Sequence, residues 1–150
     1  MRIIICSGFL NPAHGGHIDY LEEASRLGDY LIVIVNSDRQ VEIKGSTPFM
    51  DQKERLKIVQ ALRCVDLAVV SKSIDGTVCS DLELIHSEFT KNFQNGEASL
   101  VFAKGGDRIK GNVPEEDICE KLGIEIVYGV GGEKTTSSSE ILKKVKDAVY

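Results

Sequence analysis

The sequence has no apolar run of membrane-spanning length, which argues against a helix crossing a bilayer. It also lacks closely spaced cysteines. Cys6, Cys64, Cys79 and Cys119 are scattered, so neither a zinc site nor a disulfide framework is indicated. They read as small buried or half-buried residues of a reduced, cytoplasmic protein. There is no basic excess: 18 Lys and Arg against 23 Asp and Glu give a net charge of −5, which argues against nucleic-acid and anionic-membrane partners. The amino-terminal segment enters an apolar pattern without a basic stretch, a long apolar core or a cleavage site, so nothing points to secretion. Repeats and low-complexity tracts are missing too. What is present is ordinary for a soluble domain: 42% apolar and 27% charged residues over 150 positions, enough for one domain with a real core. Any anion site must then be a local cluster.

Apolar runs alternate with helical patterns along the whole chain. Strands are expected over Arg2–Cys6, Leu31–Val35, Leu67–Val70, Leu100–Ala103 and Ile124–Val127, and the unbroken apolar second run suits a parallel strand covered on both faces. Helices are expected over Gly16–Leu27, Asp51–Leu62, Thr77–Thr90, from Pro114 to Gly123, and from Ser137 onward. The segment Arg39–Met50 has no periodicity and contains Lys44-Gly45 and Pro48, so it reads as a functional loop. This alternation predicts a single doubly wound, Rossmann-like α/β domain, a five-stranded parallel sheet of order 3-2-1-4-5 with helices on both faces. Ligands of such sheets bind at the carboxyl ends of the strands where the order reverses. There the turn after the first strand meets the Lys104–Arg108 segment after the fourth.

That first turn, Ser7-Gly8-Phe9-Leu10-Asn11-Pro12-Ala13-His14-Gly15-Gly16-His17, carries the chemistry. It links a strand to a helix start, where unpaired backbone N–H groups and the helix dipole favour an anion. His14 and His17 are three apart and share one face of the first helical turn. Each imidazole can give one N–H to a phosphate oxygen, and Gly8, Gly15 and Gly16 let a ligand approach the backbone. The competing reading is a pair of surface histidines that merely cap a helix.

The run Gly8-x-Leu10-Asn11-x-x-His14-x-Gly16-His17 resembles the G-x-F-D-x-x-H-x-G-H signature of the cytidylyltransferase-like nucleotidyltransferases, with Leu for Phe and Asn for Asp. The similarity continues through Leu27–Leu31, Asn36-Ser37-Asp38, Lys44, Arg55, Arg63 and Val65-Asp66, and Ser137-Ser138-Ser139-x-Ile141 resembles the family's S-T-T-x-I helix opening. The resemblance implies transfer of a nucleoside monophosphate from a magnesium-bound triphosphate to a phosphorylated small-molecule acceptor, with release of pyrophosphate. It also implies a homodimer. Arg63 and the motif-to-lysine spacing look like glycerol-3-phosphate cytidylyltransferase, whereas Asn36-Ser37-Asp38 and Lys104-Gly105-Gly106-Asp107 look like heptose-1-phosphate adenylyltransferases. CTP is the favoured donor on this reading, with ATP and a sugar 1-phosphate as the alternative.

An acceptor phosphate oxygen is already a nucleophile at neutral pH, so catalysis rests on positioning and charge neutralisation. On that footing His14, His17 and Lys44 are the expected catalytic groups, Lys44 closing over the triphosphate from a mobile loop. Gly8, Phe9, Leu10, Asn11, Gly16, Lys104, Gly105, Gly106, Asp107, Ser137, Ser138 and Ser139 are expected to hold the nucleotide. Arg55 and Arg63 are expected to face the acceptor phosphate from one helix face. Mg2+ is expected with the triphosphate and no protein metal site is assigned. Bland alternatives stand beside these: surface ion pairs for Arg55, Arg63 and Asp107-Arg108, and a simple cap for the serines. From another class, a nucleotide-binding regulatory protein without turnover would explain Asn11. Ser71-Lys72-Ser73 is similar to a loop of class I aminoacyl-tRNA synthetases, but the chain has no room for an anticodon-binding domain.

Overall fold

The computed structural model describes residues 1–94, 96–106, 108–132 and 137–149. The elements run β1 (Arg2–Gly8), α1 (Gly15–Ser25), β2 (Tyr30–Val35), α2 (Asp38–Ile43), α3 (Gln52–Gln60), β3 (Leu67–Val70), α4 (Cys79–Asn92), β4 (Ser99–Gly105), α5 (Glu116–Leu122), β5 (Glu125–Val130) and α6 (Ser138–Val149). The strands form one parallel sheet of order β3-β2-β1-β4-β5. This is the doubly wound architecture expected from the alternation.

The two-residue period of the strands builds two cores. Ile4 and Cys6 of β1, Leu31, Val33 and Val35 of β2, and Val101 and Ala103 of β4 face Leu21 and Ala24 of α1 and Val59 of α3. The intervening Ile3, Ile5, Ile32, Ile34, Leu100 and Phe102 face Leu82 of α4 and Cys119 of α5 on the opposite side. Ile4, Ile5, Leu21, Leu82 and Phe102 are within 1% of complete burial. Each such side chain stabilises the fold by roughly 1.5–3 kcal/mol. Among the described residues no helix is long and apolar enough to cross a membrane.

One expectation needs correction. The start of the Arg39–Met50 segment is helical, because Ser37 accepts from Gln40 N at 3.2 Å and the Gln40 amide returns to Ser37 N at 3.0 Å. This reciprocal cap gives a helix of six residues, too short for a periodic apolar stripe. Gln40 is 0% exposed and also donates to Asp75 O and Thr77 O, which ties α2 to the loop after β3. The helix ends in a Schellman motif: Gly45 takes φ 88°, Ser46 N donates to Val41 O at 3.1 Å, and Gly45 N donates to Glu42 O at 2.9 Å.

Candidate active site

The carboxyl ends of β1 and β4 open into a cleft of about 750 Å³. Gly8, Phe9, Leu10, Asn11, His14, Gly16, His17, Lys44, Lys104, Gly105, Gly106, Ser137, Ser138 and Ser139 all line it. Asp107 lies outside the described residues.

His14 is the N-cap of α1. Its Nδ1 accepts from Gly16 N at 3.1 Å, and its own backbone N–H donates to His17 Nδ1 at 3.1 Å. Both Nδ1 atoms are acceptors, so the proton of each neutral imidazole resides on Nε2. The ring centroids are 3.9 Å apart. The hydrogen bonds that cap the helix thus also set the tautomer and orientation of the pair. Gly16 is required by contact, since a Cβ there would lie 2.9 Å from His14 Cε1.

A second helix start closes the cleft from the other end of the chain. Ser137 caps α6, its Oγ accepting from Glu140 N at 3.1 Å and its carbonyl from Ile141 N at 3.0 Å. Ser138 Oγ donates to Pro12 O at 2.8 Å, which fastens α6 to the histidine turn. Two helix amino termini thus border one cleft.

Lys104 approaches from the end of β4, where its Nζ donates to Ser7 Oγ at 3.4 Å. Burial lowers the Lys104 pKa, and the neighbouring Glu115 opposes that shift. Glu115 is 4% exposed, and burial raises its carboxyl pKa against the pull of Lys104 and Arg108. Lys44 caps α2 and places its ammonium 4.2 Å from the centroid of the Phe9 ring.

Two expected acceptor groups lie elsewhere. Arg55 is 0% exposed. Its guanidinium donates to Phe9 O and Asn36 O at 2.7 Å, to Met50 O at 3.0 Å and to Asp38 Oδ1 at 2.7 Å. It ties the ends of β1 and β2 to α2 and α3 and presents no face to an acceptor. Arg63 lies beyond the end of α3 at Gln60, so the shared helix face expected for the two arginines does not form. It borders a separate cavity of about 590 Å³ with Ile18, Glu22 and Arg26. Asn11, 6% exposed, is held within the protein: its Nδ2 donates to Thr47 O at 2.7 Å and its Oδ1 accepts from Phe49 N at 2.9 Å.

Sequence reasoning missed several lining residues. Tyr20 of α1 donates its hydroxyl to Ala103 O at 2.5 Å. A Cβ at Gly105 would lie 2.8 Å from Tyr20 Cδ1, so that glycine also serves close packing. Gly131 and Gly132, both at positive φ, and Arg108 line the cleft too. Positive φ marks loops in general, so nothing in the sequence singled these residues out as lining the cleft. The Ser71-Lys72-Ser73 segment is structural: Asp81 of α4 accepts from Ser71 Oγ, Lys72 N and Ser73 Oγ.

A doubly wound parallel sheet, with paired helix starts and a histidine pair at its switch point, defines a nucleotide-binding α/β domain of the Rossmann-like class. Comparison with known proteins narrows this. The cytidylyltransferase-like family model matches residues 5–146, and the chain belongs to that family of nucleotidyltransferases. It is 34% identical over 146 residues to the bifunctional protein HldE of Pelobacter propionicus, covering 93% of this chain and 26% of that protein. The HldE of Koribacter versatilis is 35% identical over 143 residues, with the same coverage of 93% and 26%. The chain thus spans about a quarter of the length of these relatives. The FAD synthase of Methanocorpusculum labreanum is 43% identical over 75 residues, covering 50% of this chain and 53% of that protein. Among solved structures, the lipopolysaccharide core biosynthesis protein of Thermoplasma volcanium superposes with a TM-score of 0.67 at 24% identity, covering 85% of this chain and 95% of that one, a likeness of fold.

Proposed function

We propose that the chain transfers an adenylyl group from ATP to the phosphate of a small-molecule acceptor, releasing pyrophosphate. An acceptor oxygen forms the new bond to the α-phosphorus, and the bond from that phosphorus to the oxygen bridging toward the β-phosphate breaks. The observation that carries this reading is the histidine pair, oriented by the cap of α1 so that each neutral ring carries its proton on Nε2. His14 and His17 donate to the α-phosphate oxygens as charge builds on them. Lys44 and the serine start of α6 receive the β- and γ-phosphates.

ATP is preferred here to the CTP favoured by the sequence. The HldE relatives match 93% of the chain, and the segments resembling heptose-1-phosphate adenylyltransferases line or flank the cleft. FAD, the product named in another relative, is itself an adenylyl group joined to a flavin phosphate. A sugar 1-phosphate is the first acceptor to test, with glycerol 3-phosphate and CTP as the second pair. Among the described residues no group of three or more His, Cys, Asp or Glu side chains could hold a metal ion. Mg2+ would enter with the triphosphate as its counter-ion and supply charge neutralisation there.

Pyrophosphate release is measured with MgATP or MgCTP against heptose and hexose 1-phosphates, glycerol 3-phosphate and FMN. Turnover with ATP and one acceptor is expected, and no turnover with any pair overturns the proposal. His14→Ala is expected to lower kcat by about a hundredfold or more. A loss under about threefold removes His14 from the mechanism.

A further inference from the structure

The turn Phe9–Asn11 touches the segment Lys44–Met50 at four points. The Phe9 ring lies under the Lys44 ammonium, while the Asn11 amide donates to Thr47 O and accepts from Phe49 N and, at 3.5 Å, from Met50 N. Leu10, between the two residues, is at φ 53°, in the left-handed region that a residue with a Cβ seldom adopts. The rest of the segment is also held: the Schellman motif fixes the backbone at Lys44–Ser46, and Arg55 Nε donates to Met50 O. Asn11 closes the interval between those anchors. Its partners fix the amide orientation, because Thr47 O requires a donor and Phe49 N an acceptor. A carboxylate of the same size could accept from Phe49 but could not donate to Thr47.

We propose that Asn11 is a positioning residue: it clasps the Lys44–Met50 segment to the histidine turn so that Lys44 meets the triphosphate, and it does not itself bind nucleotide. The asparagine, where the family signature has aspartate, is what makes this clasp possible. The proposal rests on the reading of Lys44 as a triphosphate ligand, and a double-mutant cycle separates the two.

Binding of MgATP is measured by calorimetry for the wild-type chain, Asn11→Ala, Lys44→Ala and the double variant. Asn11→Ala is expected to weaken MgATP by about tenfold in the wild-type background and by less than about twofold beside Lys44→Ala. Multiplying effects overturn the proposal, because they make Asn11 an independent ligand. Unchanged binding in Asn11→Ala overturns it as well. Should Lys44→Ala alone bind MgATP normally, the Lys44 reading fails; amide exchange then decides whether Asn11 holds the segment. Faster exchange in Asn11→Ala confined to residues 47–50 supports the clasp, and unchanged exchange overturns it. Asn11→Asp guards against loss of fold. Its protonated carboxyl regains an O–H donor, so its MgATP deficit is expected to shrink on acidification, relative to wild type at the same pH, only while Lys44 is present. A deficit that shrinks equally in the Lys44→Ala background overturns the proposal.

Discussion

Arg55→Met tests whether this arginine serves the architecture or an acceptor. The change keeps much of the side chain's apolar volume and removes four hydrogen bonds, to Phe9 O, Asn36 O, Met50 O and Asp38. Three backbone carbonyls lose a donor, and Asp38 loses an ion-pair partner that is 0% exposed. A buried carbonyl left without a partner costs about 1–3 kcal/mol. Removing one member of a buried pair costs about 3–5 kcal/mol. These terms overlap, and Asp38, 32% exposed, recovers some hydration. A net loss of about 3–5 kcal/mol is expected on this scale. At roughly 2–4 °C per kcal/mol for a domain of this size, the midpoint should fall by on the order of 10 °C. Urea unfolding followed by circular dichroism gives the free energy, and a thermal scan gives the midpoint. Arg55→Lys should recover only part of the loss, because an ammonium cannot span the four acceptors as a planar fork does. A loss below about 1 kcal/mol refutes the interior role. Normal stability with a raised acceptor KM would restore the acceptor-binding role expected from sequence.

Two further outcomes concern Gly16, which lines the cleft, and the buried Glu115. Gly16→Ala places a methyl 2.9 Å from His14 Cε1 and should lower kcat about tenfold or more while the fold persists, because displaced donors miss the developing charge. A fully active Gly16→Ala variant would show that the ring does not need this placement. Burial raises the Glu115 carboxyl, so the folded chain holds that proton more tightly than the unfolded chain does. Its contribution to stability is therefore complete below the ordinary carboxylate pKa and is lost as pH rises through the raised value. Glu115→Gln, neutral throughout, should flatten that part of the urea-stability profile, and an unchanged slope refutes the assignment.

The sheet was legible because its cause is repetitive. Ile3–Cys6 and Leu31–Val35 are apolar at successive positions, a pattern that only a strand covered on both faces explains, and the glycines and acids between strands punctuate the helices. The histidine turn was legible because a three-residue spacing at a helix start brings the cap residue and its partner together, although His14 lies at the N-cap and not within the helix. What escaped reading depends on where a long side chain goes after it leaves the backbone. Nothing local distinguishes Arg55, spent on four internal acceptors, from a surface arginine such as Arg63. Asn11 is similar: its partners lie 36 and 38 residues away, at Thr47 and Phe49. The helix at Asp38 did leave a local mark, Ser37 followed three residues on by Gln40, but its single short stretch offered no stripe to corroborate the cap.

The hydroxyl of Ser138 on the carbonyl of Pro12 joins the last helix to the first turn. A ribosome therefore makes His14 and His17 long before Ser137, Ser138 and Ser139, which stand on the other side of the same cleft. A chain clipped between the two would keep the histidine turn and lose the wall that faces it across the cleft.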